Sequence, residues 1–418
     1  MDLNIVGIDR FSIKTPYRPI VARNMMRELP HWDIFEICKV TLHNGVVGYG
    51  ETMSFYTWGA TGEEDLKRAW CKNAAELMWD DSLGSGLQMA LFDAVARAAE
   101  VPIHALLGRQ VRDRAHVSWW DFDMPPADLA AECALAHRTG YTSFKTKARP
   151  WWDLYDQLAA VAAEVPESFD MDFDFNATLL NADHAERILP YVEERFPIVA
   201  IWESPIPQGD VAGGRRVQQF TRAAIAHHYG SPDIAVQLGE DLCDGFVVGG
   251  GATAVLRQGA VCESFKKPFW LQQVGTGITA AFSLHFAAVC DWARWPAVNC
   301  HQLYENDLLK PTFPVQDGTA AIPDGPGLGV ELDLDALEQF RIDKPEERPF
   351  GPDRLLRVIF PSGPVWHYAH GERLYQHSLT GELPVFQRGV RLEMVPDDGT
   401  QAWRDLHARA MKGPVQGE

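Results

Sequence analysis

Two lysines sit two residues apart, Lys145 and Lys147 in Thr142-Ser143-Phe144-Lys145-Thr146-Lys147-Ala148, within a short run of strand character. Side chains alternate along a strand, so both ammonium groups face the same way. Each depresses the other's pKa, and burial does the same, which is how a lysine becomes a general base near neutral pH. An isolated pair of this kind is more often a solvated strand end, and it is the acids downstream that give it weight. Asp174 closes Phe169-Asp170-Met171-Asp172-Phe173-Asp174, with Asn176 two residues on, and Glu203 closes the next run in Trp202-Glu203-Ser204-Pro205. Carboxylates converging from adjacent strands suit a hard divalent cation such as Mg2+, which takes oxygen ligands and leaves positions open for substrate oxygens. Singly, each acid reads as a cap or a solvated charge; their order carries the argument.

The elements that position these residues repeat. Short apolar runs ending in polar residues occur at HVSWWDFD, TSFKTKA, FDMDFDFN, VAIWESP, AAIAHHYG, GFVVGGG, PFWLQ and PAVNCHQ, giving eight candidate strands. Helical stretches such as PPADLAAECALAHRTG and ADHAERILPYVEERFP lie between most of them, as βα units require. Lys147, Asp174, Glu203 and His228 follow one another at 27, 29 and 25 residues, one polar residue per unit. Eight such units close into a (β/α) barrel, whose active site lies at the C-terminal ends of the strands. Before them, residues 1–112 read as an α+β domain: alternating strands around an Asn44-Gly45 turn, then helices ending in MALFDAVARAAEVPIHALLG. The barrel is placed at 113–323. Residues 324–418 are expected to return to the N-terminal domain and to carry an extra extension. The triple glycine Gly249-Gly250-Gly251 lacks GxGxxG spacing and reads as room for close approach, not as a phosphate cradle.

Composition narrows the partners. At 418 residues the chain suits a barrel plus a smaller companion. A formal charge of −19 argues against nucleic acid, whose phosphates reward clustered Lys and Arg. Seven scattered cysteines without CxxC spacing suggest neither disulfides nor zinc, and a reducing cytoplasm fits best. The N-terminus has no signal-peptide pattern and no apolar run is long enough to span a bilayer, so no membrane partner is expected. A small molecule is the expected partner.

The order of motifs resembles that of the enolase superfamily, in its mandelate racemase and muconate-lactonizing-enzyme-like branch. It is carried by Gly48-Tyr49-Gly50-Glu51, the ALFDAVARAAEVPIHALLG stretch, KTK, DFN, WESP and the late PDGPGLGVELD, over residues 3 to about 340. The resemblance implies an enolase-type (β/α) barrel with an N-terminal α+β capping domain, acting on a small-molecule carboxylate. It implies Lys147 as the base with Lys145 tuning it, and Asp174 and Glu203 as the first two Mg2+ ligands. Barrels of this kind often form homo-oligomers.

Two departures follow. Where a third acid should stand, the chain reads Ala226-His227-His228-Tyr229. His228 is taken as the replacement ligand, which shifts preference toward Mn2+ or another softer divalent ion; Glu240 in Gln237-Leu238-Gly239-Glu240-Asp241 is the alternative. The Asp and His of the racemases' second base are also missing, since the sixth and seventh strands end in Val248-Gly249-Gly250 and Trp270-Leu271-Gln272. One-base chemistry therefore gains ground: dehydration of a hydroxylated acid such as a sugar acid, a lyase reaction. His301, ending the eighth strand, is the candidate acid for the leaving hydroxide, a structural role being equally open. Asn176, Gln272 and Tyr304 are read as substrate contacts, and Trp58 in Phe55-Tyr56-Thr57-Trp58 as part of a cover that excludes water. The alternatives are an epimerase, racemase or cycloisomerase of the same family, and a barrel that has lost catalysis and only binds.

Overall fold

The computed structural model describes residues 2–56 and 59–417, in two compact units. The first comprises Met1–Arg18, His31–Trp120 and Phe246–Pro349; the second comprises Pro19–Pro30, Asp121–Gly245 and Phe350–Glu418. Among the described residues no helix is long and apolar enough to cross a membrane.

In the first unit, strands Ile5–Lys14, Ile34–Leu42 and Val47–Met53 form an antiparallel sheet, with Gly45 at φ +83° in the turn joining the last two. Arg341–Ile342 adds a fourth strand, Ile13 facing Arg341. Helix Ser85–Ala98 covers this sheet, almost every residue buried. The approach is close because Gly48 and Gly50 share its face of the strand: a Cβ there would meet the carbonyl oxygens of Ala90 at 2.3 Å and Gly86 at 2.2 Å. Glu51, the last residue of that motif, is buried and accepts bonds from Thr276 N–H (2.7 Å), Thr276 Oγ1 (2.7 Å) and Thr279 N–H (2.9 Å). It thereby satisfies free donors at the start of helix Gly277–Val289, where an anion is favoured. The unit also holds four parallel strands, at Arg114–Trp120, Gly245–Val248 (from Phe246), Phe269–Leu271 and Ala297–Val298.

The second unit holds the other four: Ser143–Lys147, Asp170–Asp174, Val199–Glu203 and Ala224–His228, parallel and adjacent in that order. Helices Pro126–Arg138, Leu154–Ala162, Ala182–Arg195 and Val211–Phe220 alternate with them. All eight strands expected from the sequence are therefore present. The boundaries read at 112 and 323 are not those of the compact units, and the segment 324–418 divides. Residues up to Pro349 belong to the first unit, whereas Phe350–Glu418 pack in the second. There strands Arg354–Ile359, Val365–Tyr368, Arg391–Pro396 and Val415–Gly417 make an antiparallel sheet with helices Gly371–Ser378 and Gln401–Ala410. The reason is apolar: Trp151 and Trp152 share a core with Leu356, Val358, Phe360, Tyr368 and Leu374. Burying two indoles and their neighbours is worth several kcal/mol, roughly 2 per large side chain.

Candidate active site

The strand register sets the site. Lys145 faces Asp172 and Lys147 faces Asp174; Asp174 in turn faces Glu203, and Glu203 faces Ala226. Paired residues in a parallel ladder share a face, and His228, two beyond Ala226, returns to it. Lys145, Lys147, Asp172, Asp174, Glu203 and His228 thus occupy one face of four neighbouring strands. Phe144, Phe173, Trp202 and His227 occupy the other. Pleat parity separates the two histidines: His227 is buried with the aromatic residues, its pKa pushed down to about 4 by burial, and His228 lies beside Glu203.

On this face the charges pair. The Lys145 ammonium meets the Glu203 carboxylate, both fully enclosed, and the Lys147 ammonium meets Asp174 with the lysine side chain 17% exposed. His228 Nε2 lies 3.0 Å from Glu203, its ring about half open to solvent. Burial alone would raise the Glu203 carboxyl's pKa, but Lys145, His228 and Lys147 outweigh it and hold that pKa well below the usual carboxylate range. Asp174 is fixed further: Asn176 N–H donates to its Oδ1 (2.8 Å) and Asn176 Nδ2 to its Oδ2 (3.0 Å). Asn176 therefore spends its amide on the protein, its own Oδ1 accepting from Arg149 Nη2 at 2.7 Å.

Whether these residues fit a divalent ion turns on Glu203. Its two oxygens are buried and receive no well-aligned hydrogen bond, their neighbours being ion-pair partners alone. Such lone pairs, with Asp174 and His228 on the same rim, are the donors a cation takes. The set is not pre-assembled: among the described residues no three His, Cys, Asp or Glu side chains already converge on one point. Glu240, the alternative third ligand, pairs with Arg215 on helix Val211–Phe220 and so faces the helical layer.

Three residues went unnoticed in the sequence. Asp172 is buried on the charged face with Oδ1 unpartnered, and burial, together with Asp170 and Glu203, raises its pKa well above the usual range. The Asp170-Met171-Asp172-Phe173-Asp174 alternation was the available signal. Arg149 is buried, donating to Asn176 and lying 5.3 Å from the Tyr375 ring. Tyr375 had no signal at all, since it arrives from the C-terminal segment.

The remaining candidates belong to the first unit. His301 is buried in a single 3-10 turn, 5.0 Å from the Phe313 ring, and burial pushes its pKa down to about 4 against a weaker opposing pull from Asp307. Gln272 is partly exposed and accepts from Trp270 Nε1 at 3.3 Å. Tyr304 is buried, its hydroxyl donating to the Trp32 carbonyl at 2.8 Å, which leaves that proton committed. Trp58 lies outside the described residues.

Residues 128–336 match the family described as enolase C-terminal domain-like. The chain is similar to D-gluconate dehydratase of Thermoproteus tenax, 25% identical over 68% of this chain and 58% of that one, so the match spans under two thirds of that relative's length. It is similar to N-succinylamino acid racemase of Thermus thermophilus, 26% identical over 60% of this chain and 69% of that one. Among solved structures, a mandelate racemase/muconate lactonizing family protein from Azoarcus sp. EbN1 matches with a TM-score of 0.66 and 20% identity, covering 83% of this chain and 99% of that one. This last likeness speaks to fold: a capped (β/α) barrel.

Proposed function

Because the chain belongs to the enolase superfamily, in its mandelate racemase and muconate-lactonizing-like branch, we propose that it removes the proton next to a substrate carboxylate and expels water from a hydroxylated, sugar-acid type of substrate. The observation that carries this reading is Lys147, partly open to solvent, paired with Asp174 on the face that also bears Glu203 and His228.

To act as a base, Lys147 first gives up a proton to solvent, toward which its side chain is partly open, and leaves its contact with Asp174. Its neutral amine then takes the α-proton: the C–H bond breaks, an N–H bond forms, and the electron pair moves toward the substrate carboxylate. That pair returns to expel the hydroxyl group of the neighbouring carbon, which leaves as water on taking the proton that this reading assigns to His301. Lys145, enclosed against Glu203, keeps a positive charge beside the developing negative one. Asp174, Glu203 and His228 would hold Mg2+, or Mn2+ or another softer ion given the imidazole, and a cation there neutralises charge on the substrate carboxylate. The role of His301 as acid for the departing hydroxide rests on its strand-end position in the sequence alone. A relative named as a dehydratase supports elimination, and one named as a racemase keeps epimerisation as the second reading.

The test is a panel of sugar acids in D2O with Mg2+ or Mn2+, followed by proton NMR. One acid should lose water with the wild-type protein and remain intact with Lys147→Met. Deuterium entering unchanged substrate without loss of water would replace dehydration with epimerisation.

A further inference from the structure

The C-terminal module from Arg354 onward lies beyond the family match, which ends at Ala336. It is fastened to the second unit beside the lysine strand. Its core takes in Trp151 and Trp152, and Arg388 Nε donates to Asp153 Oδ2 at 2.9 Å. From this anchorage the module reaches the segment that follows Asp174. The Tyr375 hydroxyl donates to the Asn176 carbonyl at 2.9 Å, and the Phe386 ring meets Phe175 edge-on with centroids 5.2 Å apart.

That segment needs holding. Asn176, Ala177 and Leu180 have φ of +45°, +68° and +68°, a left-handed conformation that side chains with a Cβ adopt at a cost and keep only when their surroundings impose it. Asn176 in turn supplies two of the hydrogen bonds that aim the Asp174 carboxylate. A continuous set of contacts therefore runs from module to acid: Tyr375 hydroxyl, Asn176 backbone, Asn176 amides, Asp174.

We propose that the C-terminal module is a clamp that sets the orientation of Asp174, with Tyr375 as its positioning residue. Its value to catalysis rests on the function proposed above; the clamping does not, and it can be read without any turnover.

Tyr375→Phe removes one hydroxyl from a partly buried ring. Hydrogen–deuterium exchange by mass spectrometry should then show the peptide covering 174–180 exchanging at least tenfold faster, while peptides of helix Gly371–Ser378 stay within twofold of wild type. The amides read are protected ones, among them Ala177 N–H on the Ser204 carbonyl (2.8 Å) and Thr178 N–H on the Phe175 carbonyl (3.1 Å). Phe386→Leu should produce the same pattern by a separate contact. No change at 174–180 in either variant, or an equal or larger rise in helix Gly371–Ser378, would overturn the clamp. Faster exchange at 174–180 in a protein that dehydrates no acid would sink the proposed reaction and leave the clamp standing.

Discussion

Two lysines with the same sequence spacing have different surroundings. Lys145 and Glu203 are both fully enclosed, so removing one partner strands a charge without solvent, whereas Lys147 keeps an open side. Lys145→Met should lower the unfolding free energy by about 3–5 kcal/mol, and Lys145→Met with Glu203→Leu should recover most of that loss. Lys147→Met leaves the buried Asp174 without its cation but still held by two hydrogen bonds from Asn176, and should cost less, about 1–3 kcal/mol. Urea denaturation of the three variants checks the order. That these two lysines, Asp174 and Glu203 share one face was legible from strand alternation and from their order, one polar strand end per unit. Asp172 was not, since it lies inside the strand where the eye expects apolar residues. Tyr375 was illegible in principle: its partner is 199 residues away.

At the level of elements, the Gly-Tyr-Gly-Glu run combines two demands. Gly50 lets a helix carbonyl approach to where a Cβ would stand, and Glu51 closes the start of another helix. Gly50→Ala should therefore destabilise the protein by about 1–3 kcal/mol or more through forced backbone displacement, measured by calorimetry. A Gly50→Ala protein with unchanged melting would mean that the sheet and helix Ser85–Ala98 yield freely. The sequence revealed this motif as part of a resemblance without its physical cause, which needs the helix that packs on it. Strand positions read well because seven of the eight apolar runs give way to polar residues and the sixth to the Gly249-Gly250-Gly251 run. The C-terminal elements read poorly: their strands are short, and the apolar surface they cover, Trp151 and Trp152, sits in another stretch of chain.

For the molecule as a whole, buried histidines couple stability to pH. His285 is enclosed on helix Gly277–Val289, 3.3 Å from His104 Nδ1 and 3.1 Å from the Leu328 carbonyl, and burial pushes its pKa down to about 3. A folded pKa below the unfolded value of about 6.5 gives stability that is full above that pH and is lost as pH falls toward the folded pKa. Between pH 7.5 and 5.5, wild type should lose about 1 kcal/mol that His285→Gln does not lose, a difference of differences that cancels the carboxylates common to both proteins. Which stretches of chain gather into each compact unit was the least legible feature at this scale, because each unit draws on three separate segments and adjacency in sequence says little about that. We propose that Asp174, Glu203 and His228 form one cation site on the lysine-bearing face, and Mn2+ titration of the full chain followed by electron paramagnetic resonance reads it directly. One saturable ion per chain is predicted, with affinity falling at least tenfold in Glu203→Gln and in His228→Ala. Absence of saturable binding, or affinity unchanged in both variants, would rule out a cation site at these three residues.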